Sequence, residues 1–275
     1  MKKQKQFLKI VKMSTLVVLF ALYVVPLLFV LLNSFKSTTE IIAKPLALPT
    51  NFSFTNYFIA FDKMNYLHGF FNSLIITTCS VLIIVVFSSS TAYLFVRKKW
   101  KINKYMFLIM IAAMIIPFQG IMIPLVQIYG SLHMLNNKWS LIYMYLGFGT
   151  SLAVFMYHGF IKSIPLELEE AAMIDGATRF QTFTKVVFPL LKSQTMTIAI
   201  LDILWIWNDF LLPNLILGTA DTRTLPLSTY YFYGTHTVDY GLSMAGLILS
   251  VIPVVIVYMF MQKNILEGVM QGSIK

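Results

Sequence analysis

Six stretches of this chain each run for about twenty or more predominantly apolar residues, and no other feature narrows the possible folds as far. They are Ser14–Leu32, Phe70–Val96, Tyr105–Tyr129, Trp139–Ile161, Thr195–Leu217 and Leu242–Met261, together half of the 275 residues. A helix of about 20 residues crosses a hydrocarbon core of roughly 30 Å. Inside that core every backbone N–H and C=O must find its partner within the protein, which leaves helices for segments of this length. Composition agrees: 58% of the residues are apolar (AVILMFWYC) and 12% are charged, against about 45–50% and about 25% in a soluble domain. An ordinary water-soluble fold and a disordered chain are both excluded by that balance. The single cysteine, Cys79, excludes a disulfide framework, a CxxC redox pair and a cysteine-based zinc site. The expected class is an all-α polytopic membrane protein with six transmembrane helices.

The charges test this division independently of hydropathy. Lys2, Lys3, Lys5, Lys9 and Lys12 precede the first span; Arg97, Lys98, Lys99, Lys101 and Lys104 separate the second from the third. Lys162, Arg179, Lys185 and Lys192 lie between the fourth and fifth, and Lys263 and Lys275 follow the sixth. That places 16 of the 21 basic residues on one side, with Lys36, Lys44, Lys63, Lys138 and Arg223 on the other. Basic residues collect on the cytoplasmic face of a membrane protein, so both termini are expected there. The net charge of +10 is then a record of orientation rather than a nucleic-acid signal. The expected division is a basic N-terminus over 1–13, a transmembrane domain over 14–262 and a cytoplasmic tail over 263–275. A basic start before an apolar run also suits a signal peptide, but this run is too long for a typical h-region and lacks an A-x-A site, so a retained anchor is expected. Pro117 and Pro124 interrupt the third span, which predicts either a kinked helix or one packed centrally along a cavity.

The cytoplasmic segment 163–193 differs from the other loops. Pro165 suits a first helical position, and Glu167, Glu169 and Glu170 place negative charge at the positive end of a helix dipole. Gly176 is a natural terminator, and Thr178 with Gln181 has capping-box spacing for a second helix whose Phe180, Phe183 and Val187 are expected to share a face. Two short helices meeting at a glycine corner, with small Ala171 and Ala172, suit either the bilayer surface or a groove in a soluble partner.

The run Glu170-Ala171-Ala172, three residues, Asp175 closing them, Gly176, nine residues, then Val186-Val187-Phe188-Pro189 resembles the EAA loop of permease subunits from binding-protein-dependent ABC importers. Here Val and Phe stand for the Ile and Leu of the family pattern. Further segments resemble the carbohydrate branch, the MalG-like permeases: Asn33-Ser34-Phe35-Lys36, Asn72-Ser73-Leu74-Ile75, Ala92-Tyr93, and Trp207-Asn208-Asp209-Phe210 with Pro213. The resemblance implies a type I ABC importer permease fold. It also implies a loop that docks as coupling helices into an ATPase subunit, through Glu170, Ala171, Ala172, Asp175, Gly176, Phe180, Phe183 and Pro189. Partners implied are a second homologous permease, two ATPase subunits and an extracytoplasmic sugar-binding protein. The place implied is the bacterial cytoplasmic membrane.

The chain has no G-x-x-x-x-G-K-[ST] loop, so ATP and Mg are expected on the partner ATPases, with no cofactor and no metal in this chain. It is expected to be a transport subunit and not an enzyme; neither H-E-x-x-H nor G-x-S-x-G occurs. Asp202 and Asp209 are the acidic residues within the proposed spans, and their seven-residue spacing puts them on roughly one helix face. A sugar path pairs hydrogen-bonding groups with aromatic rings, so Trp205, Asn208 and Asp209 are candidate pathway residues; packing or interfacial roles are the plain alternative. His158 reads as a packing residue. The outer loop from Gly218 to Gly241 offers Arg223, Tyr230, Tyr231 and Tyr233 for contact with a binding protein. Alternatives are a stand-alone secondary transporter, which needs ion sites and usually repeats, and an ABC permease for another solute class.

Overall fold

The computed structural model describes residues 2–232 and 238–273. Their regular structure is helical, in the order α1 (Lys2–Asn33), α2 (Thr38–Ala43), α3 (Thr55–Lys63), α4 (Tyr66–Arg97), α5 (Lys101–Ala113), α6 (Phe118–Ser131) and α7 (Lys138–Ile161). Then follow α8 (Glu167–Ile174), α9 (Arg179–Thr182), a π-helical turn over Phe183–Val187, α10 (Phe188–Leu190), α11 (Lys192–Asn208), α12 (Leu211–Ile216), α13 (Leu225–Ser228) and α14 (Tyr240–Ser273). The chain divides into two compact units, Met1–Tyr66 with Ser228–Pro253, and Leu67–Leu227 with Val254–Lys275.

In the first unit α1 exposes apolar side chains on every side, among them Leu16, Phe20, Leu22, Val25 and Leu27. Such a helix is stable where the surrounding solvent is itself apolar. Beyond it the Asn33-Ser34-Phe35-Lys36 run is a packing hub. Lys36 is fully buried, its ammonium donating to the carbonyls of Lys44 (3.1 Å) and Pro45 (3.3 Å). Asn56 closes the same knot by donating to the carbonyls of Ser34 and Lys36. Phe35 sits among Phe52, Phe54 and Tyr57 with ring centroids 5.3–5.6 Å away. A Cβ at Gly241 would lie 2.5 Å from the Lys36 carbonyl oxygen, so only glycine lets α14 approach this closely.

The second unit is built around α4 and α7. Thr77, Ser80, Ser88 and Ser89 of α4 are buried, and small polar side chains let membrane helices close on one another. At Gly149 of α7 an added Cβ would stand 2.6 Å from Ile84 Cδ1 of α4, so a larger residue there requires the end of the Ile84 side chain to move. Tyr157 donates to Thr195 Oγ1 at 2.9 Å and ties α7 to α11.

Four helices are long and apolar enough to cross a membrane, and two bent helix pairs meet the same length and composition when taken together, six in all if each pair counts as one span. The expected third span is not a continuous helix: α5 and α6 meet at 105° around Pro117, which forms the N-cap of α6. At 1.5 Å per residue each arm reaches only about 20 Å, short of the hydrocarbon core, so neither crosses alone. The expected fifth span, Thr195–Leu217, is broken once within its bounds, at Asp209, and a second bend precedes it. The helical run Arg179–Leu190 meets α11 at 75°, and Asp209, in extended conformation, separates α11 from α12. Pro213 falls in the first turn of α12, where its missing N–H costs nothing.

The candidate functional site

Between α7 and α11 the chain leaves the apolar bundle for a polar elbow. Three glutamates stand in the first turn of α8, which starts at Glu167, two residues later than Pro165 suggests. Asp175 is the C-cap and Gly176 follows at φ +88°. Nothing lies within 4 Å of where a Cβ would stand on Gly176, so glycine is required there by backbone conformation and not by space. Thr178 and Gln181 form the expected capping box: Gln181 Oε1 accepts from the Thr178 N–H at 2.8 Å and Thr178 Oγ1 from the Gln181 N–H at 3.3 Å. The second helix does not continue as expected. A π-helical turn over Phe183–Val187 adds a residue to the repeat, so Phe180, Phe183 and Val187 do not share a face. Phe180 is 75% exposed, Phe183 packs between Tyr93 (5.0 Å) and Phe188 (6.0 Å), and Val187 is buried. Pro189 lies exposed in α10.

The acidic residue that anchors the elbow is Glu169, which sequence reasoning treated only as part of a charge run. It is buried, and it accepts from Arg97 Nε at 2.7 Å through Oε1 and from Tyr93 Oη at 2.7 Å through Oε2. Arg97 also donates from Nη2 to the Ile164 carbonyl at 3.1 Å. Both carboxylate oxygens are therefore matched, the condition under which a buried ion pair holds; removing one partner of such a pair costs about 3–5 kcal/mol. Tyr93 and Arg97, four residues apart at the end of α4, clasp α8 from one helix face. That i, i+4 pair was the available signal.

With Glu169 turned in, Glu170, Ala171 and Asp175 are exposed, and Ala172 is half-buried. Ile174 is 85% exposed, and Met173 projects beside it. Together with Phe180 they line a projecting, partly apolar knuckle, bordered by a cavity of about 650 Å3 that reaches Tyr93, Arg97, Arg179 and Phe183. Bare apolar side chains on a polar elbow mark a surface built to be covered.

Two of the candidate pathway residues, Trp205 and Asp209, are linked by Tyr145, which sequence reasoning missed because a tyrosine on an apolar helix carries no spacing signal. Its hydroxyl donates to Asp209 Oδ2 at 2.9 Å, and its ring meets that of Trp205 edge-on at 5.5 Å. Asp209 Oδ1 accepts from the N–H of Leu211 at 3.0 Å and so opens α12. Asp202 and Asp209 do not share a helix face, because α11 ends at Asn208. Asp202 is buried with Oδ2 unpartnered. Asn208 is exposed and donates to the Leu204 carbonyl at 2.7 Å. His158 stacks on Phe107 at 3.9 Å, a packing role. Among the described residues no group of three His, Cys, Asp or Glu side chains stands together as a metal site.

At the other end of this unit, the buried Asn72 donates to the carbonyls of Asp221 (2.8 Å) and Arg223 (3.1 Å), and Ser73 Oγ accepts from the Leu225 N–H. Asn136 Oδ1 accepts from Gly218, Thr219 and Thr222. Arg223 thus sits on a fastened loop, half-buried. In the other unit Tyr230 and Tyr231 are exposed, and Tyr233 lies outside the described residues.

Residues 84–270 match the family described as binding-protein-dependent transport system inner membrane component. The chain is 44% identical, over 94% of both chains, to the probable starch degradation products transport system permease protein AmyC of Thermoanaerobacterium thermosulfurigenes. It is 38% identical, over the whole of both chains, to the multiple sugar-binding transport system permease protein MsmG of Streptococcus mutans. To the melibiose/raffinose/stachyose import permease protein MelC of Bacillus subtilis it is 34% identical over 91% of each. Its fold is similar, at a TM-score of 0.82 and 21% identity, to a chain in the crystal structure of a bacterial ABC transporter involved in the import of the acidic polysaccharide alginate, covering 94% of this chain and 97% of that one.

Proposed function

Since the chain belongs to the family of binding-protein-dependent transport system inner membrane components, multi-pass permease subunits of ABC importers, we propose that its cargo is a sugar or oligosaccharide. The observation that carries the sugar reading is that relatives aligned over 91% or more of this chain are named for starch degradation products, multiple sugars and melibiose/raffinose/stachyose. The chain is a transport subunit and not the ATPase.

In this reading the chain lies in the cytoplasmic membrane of a bacterium with both termini inside. It pairs with a second homologous permease and two ATPase subunits that bind ATP and Mg, and it receives cargo from an extracytoplasmic binding protein. The elbow is the coupling element. Glu170, Ala171, Ala172, Asp175 and Phe180 present the docking surface, Gly176 fixes the corner, and Phe183 and Pro189 join it to α11. The exposed knuckle supports that role, since a partner cleft supplies the cover its apolar side chains lack. Closure of the ATPases moves the knuckle, and the Glu169 clasp passes that movement to α4, so that ATP-driven closure selects between two states of the permease.

Trp205 and Asn208 offer the cargo an aromatic ring and an amide, while Asp209 shapes the break between α11 and α12 that aims them. Arg223, Tyr230, Tyr231 and Tyr233 are proposed contacts of the binding protein.

The test is uptake of labelled maltodextrins, raffinose or stachyose, and amino acids or peptides for comparison, into proteoliposomes holding the purified complex, its binding protein outside and ATP within. ATP-dependent uptake of a carbohydrate is expected. Uptake of only an amino acid or peptide overturns the sugar reading, and uptake by this chain alone without ATP overturns the importer reading.

A further inference from the structure

Between the ends of α4, α5 and α7 lies an open cavity of about 530 Å3 lined by Lys98, Lys99, Lys101, Lys104 and Lys162, with Trp100 beside them. The side of the membrane to which basic residues go explains why lysines are here. It does not explain why five of them converge on one cavity. No carboxylate lines it, and among the described residues none of the five ammonium groups has an ion-pair partner; the neighbouring cation, Arg97, is already held by Glu169. Like charges around one concavity repel one another, and an anion held among them would relieve that repulsion.

The site is formed in advance. Buried Asn103 donates to the carbonyls of Lys98 (2.7 Å) and Leu94 (3.4 Å), which pins the three-residue link between α4 and α5. Phe107, stacked on His158 at 3.9 Å and edge-on to Phe95 at 6.3 Å, makes the floor.

What tells a lipid from a soluble anion is the surface that continues from the cavity. Along α5, directly past the lysines, Ile102, Tyr105, Met106, Leu108 and Ile109 are all exposed. The outer face of the helix is thus apolar and suits acyl chains, and Trp100 is 57% exposed just before its first residue, a position that suits an indole anchored among headgroups.

We propose that this cavity is a binding site for the phosphate headgroup of an anionic glycerophospholipid, whose acyl chains lie along α5. Basic pockets between membrane helices on the cytoplasmic side suit such headgroups. The site is independent of which solute the permease carries.

The full-length chain, purified in detergent within its complex, is titrated with phosphatidylglycerol or phosphatidylcholine and read by native mass spectrometry. Phosphatidylglycerol is expected to be retained at least about tenfold more strongly, with each lysine near the headgroup contributing roughly fivefold. Lys101→Gln and Lys104→Gln singly are expected to lower that preference about fivefold each, and Lys98→Gln/Lys101→Gln/Lys104→Gln to abolish it. The corresponding Lys→Arg triple variant keeps it. Equal retention of the two lipids by the native chain, or an undiminished preference in both single variants, overturns the proposal. Displacement of bound phosphatidylglycerol by millimolar glycerol 1-phosphate overturns the lipid assignment in favour of a soluble phosphate; no displacement is expected.

Discussion

Gly176 shows how much one residue's conformation decides. Its φ of +88° is a region where a β-branched side chain is strained, by roughly 1–2 kcal/mol, although the space around it is open. Gly176→Val is therefore expected to insert in the membrane at near-normal levels yet lose more than about tenfold in ATP-driven uptake, because the corner between α8 and α9 opens. Gly176→Asn, which tolerates the left-handed region, keeps most activity. Immunoblotting of membranes beside uptake assays separates the two; normal uptake by the valine variant removes the corner from the mechanism. Asp202 teaches the opposite lesson. A buried carboxylate with an unpartnered oxygen carries a desolvation cost and gains little in return, so Asp202→Asn is expected to melt at the same temperature or higher and to transport normally. A lowered melting temperature in a thermal shift assay would mean that the charge has a partner in the assembled transporter. Gly176 was legible in the sequence because a glycine after an acidic helix has one common use. Tyr145 was not, because its hydroxyl finds Asp209 only after α7 and α11 pack and α11 has stopped at Asn208.

At the scale of elements, the start of α9 was readable and its continuation was not. The capping box at Thr178 and Gln181 is a local hydrogen-bond pattern that spacing alone predicts. The π-helical turn after it has no such local signature, and within it Phe183 packs against Tyr93, a contact made across the fold. The same distinction separates Glu170, obvious in its motif, from Glu169, whose meaning depends on Tyr93 and Arg97 arriving from α4. If the clasp joins α4 and α8 into one moving part, Glu169→Ala and Arg97→Ala each raise the ATP consumed per sugar imported, by about threefold or more. The double variant then does no worse than the poorer single one, as for residues acting as one unit. Additive losses in paired uptake and phosphate-release measurements would show that the two side chains act separately. Hydropathy likewise located the apolar stretch that holds α5 and α6 but not the angle within it: a window counts apolar residues and carries no direction, so the 105° turn at Pro117 was visible only as a proline.

For the whole molecule the inside–outside signal of a soluble protein is inverted, which explains both what the sequence revealed and what it hid. The side chains of α1 are apolar and exposed, the buried ones of α4 include several that are small and polar, and hydropathy ranks the lipid face above the protein face. The spans were therefore legible and the packing was not; Gly149 against Ile84 and the burial of the α4 serines emerge only in the folded chain. Charge does carry global information, because it records which side of the bilayer each loop faces. With 16 of 21 basic residues assigned inward, a maleimide that cannot cross membranes has a definite pattern to meet. In a Cys79→Ser background, Ala220→Cys is expected to react on intact cells and Lys99→Cys only in inverted vesicles or after permeabilisation; both positions are exposed in the structure. Reversed labelling would turn the elbow away from the ATP supply and remove the coupling role of α8 and α9. It would leave the fold, the clasp and the lysine-lined cavity as they are. Orientation is thus the one global property on which the proposed transport mechanism depends and the packing does not.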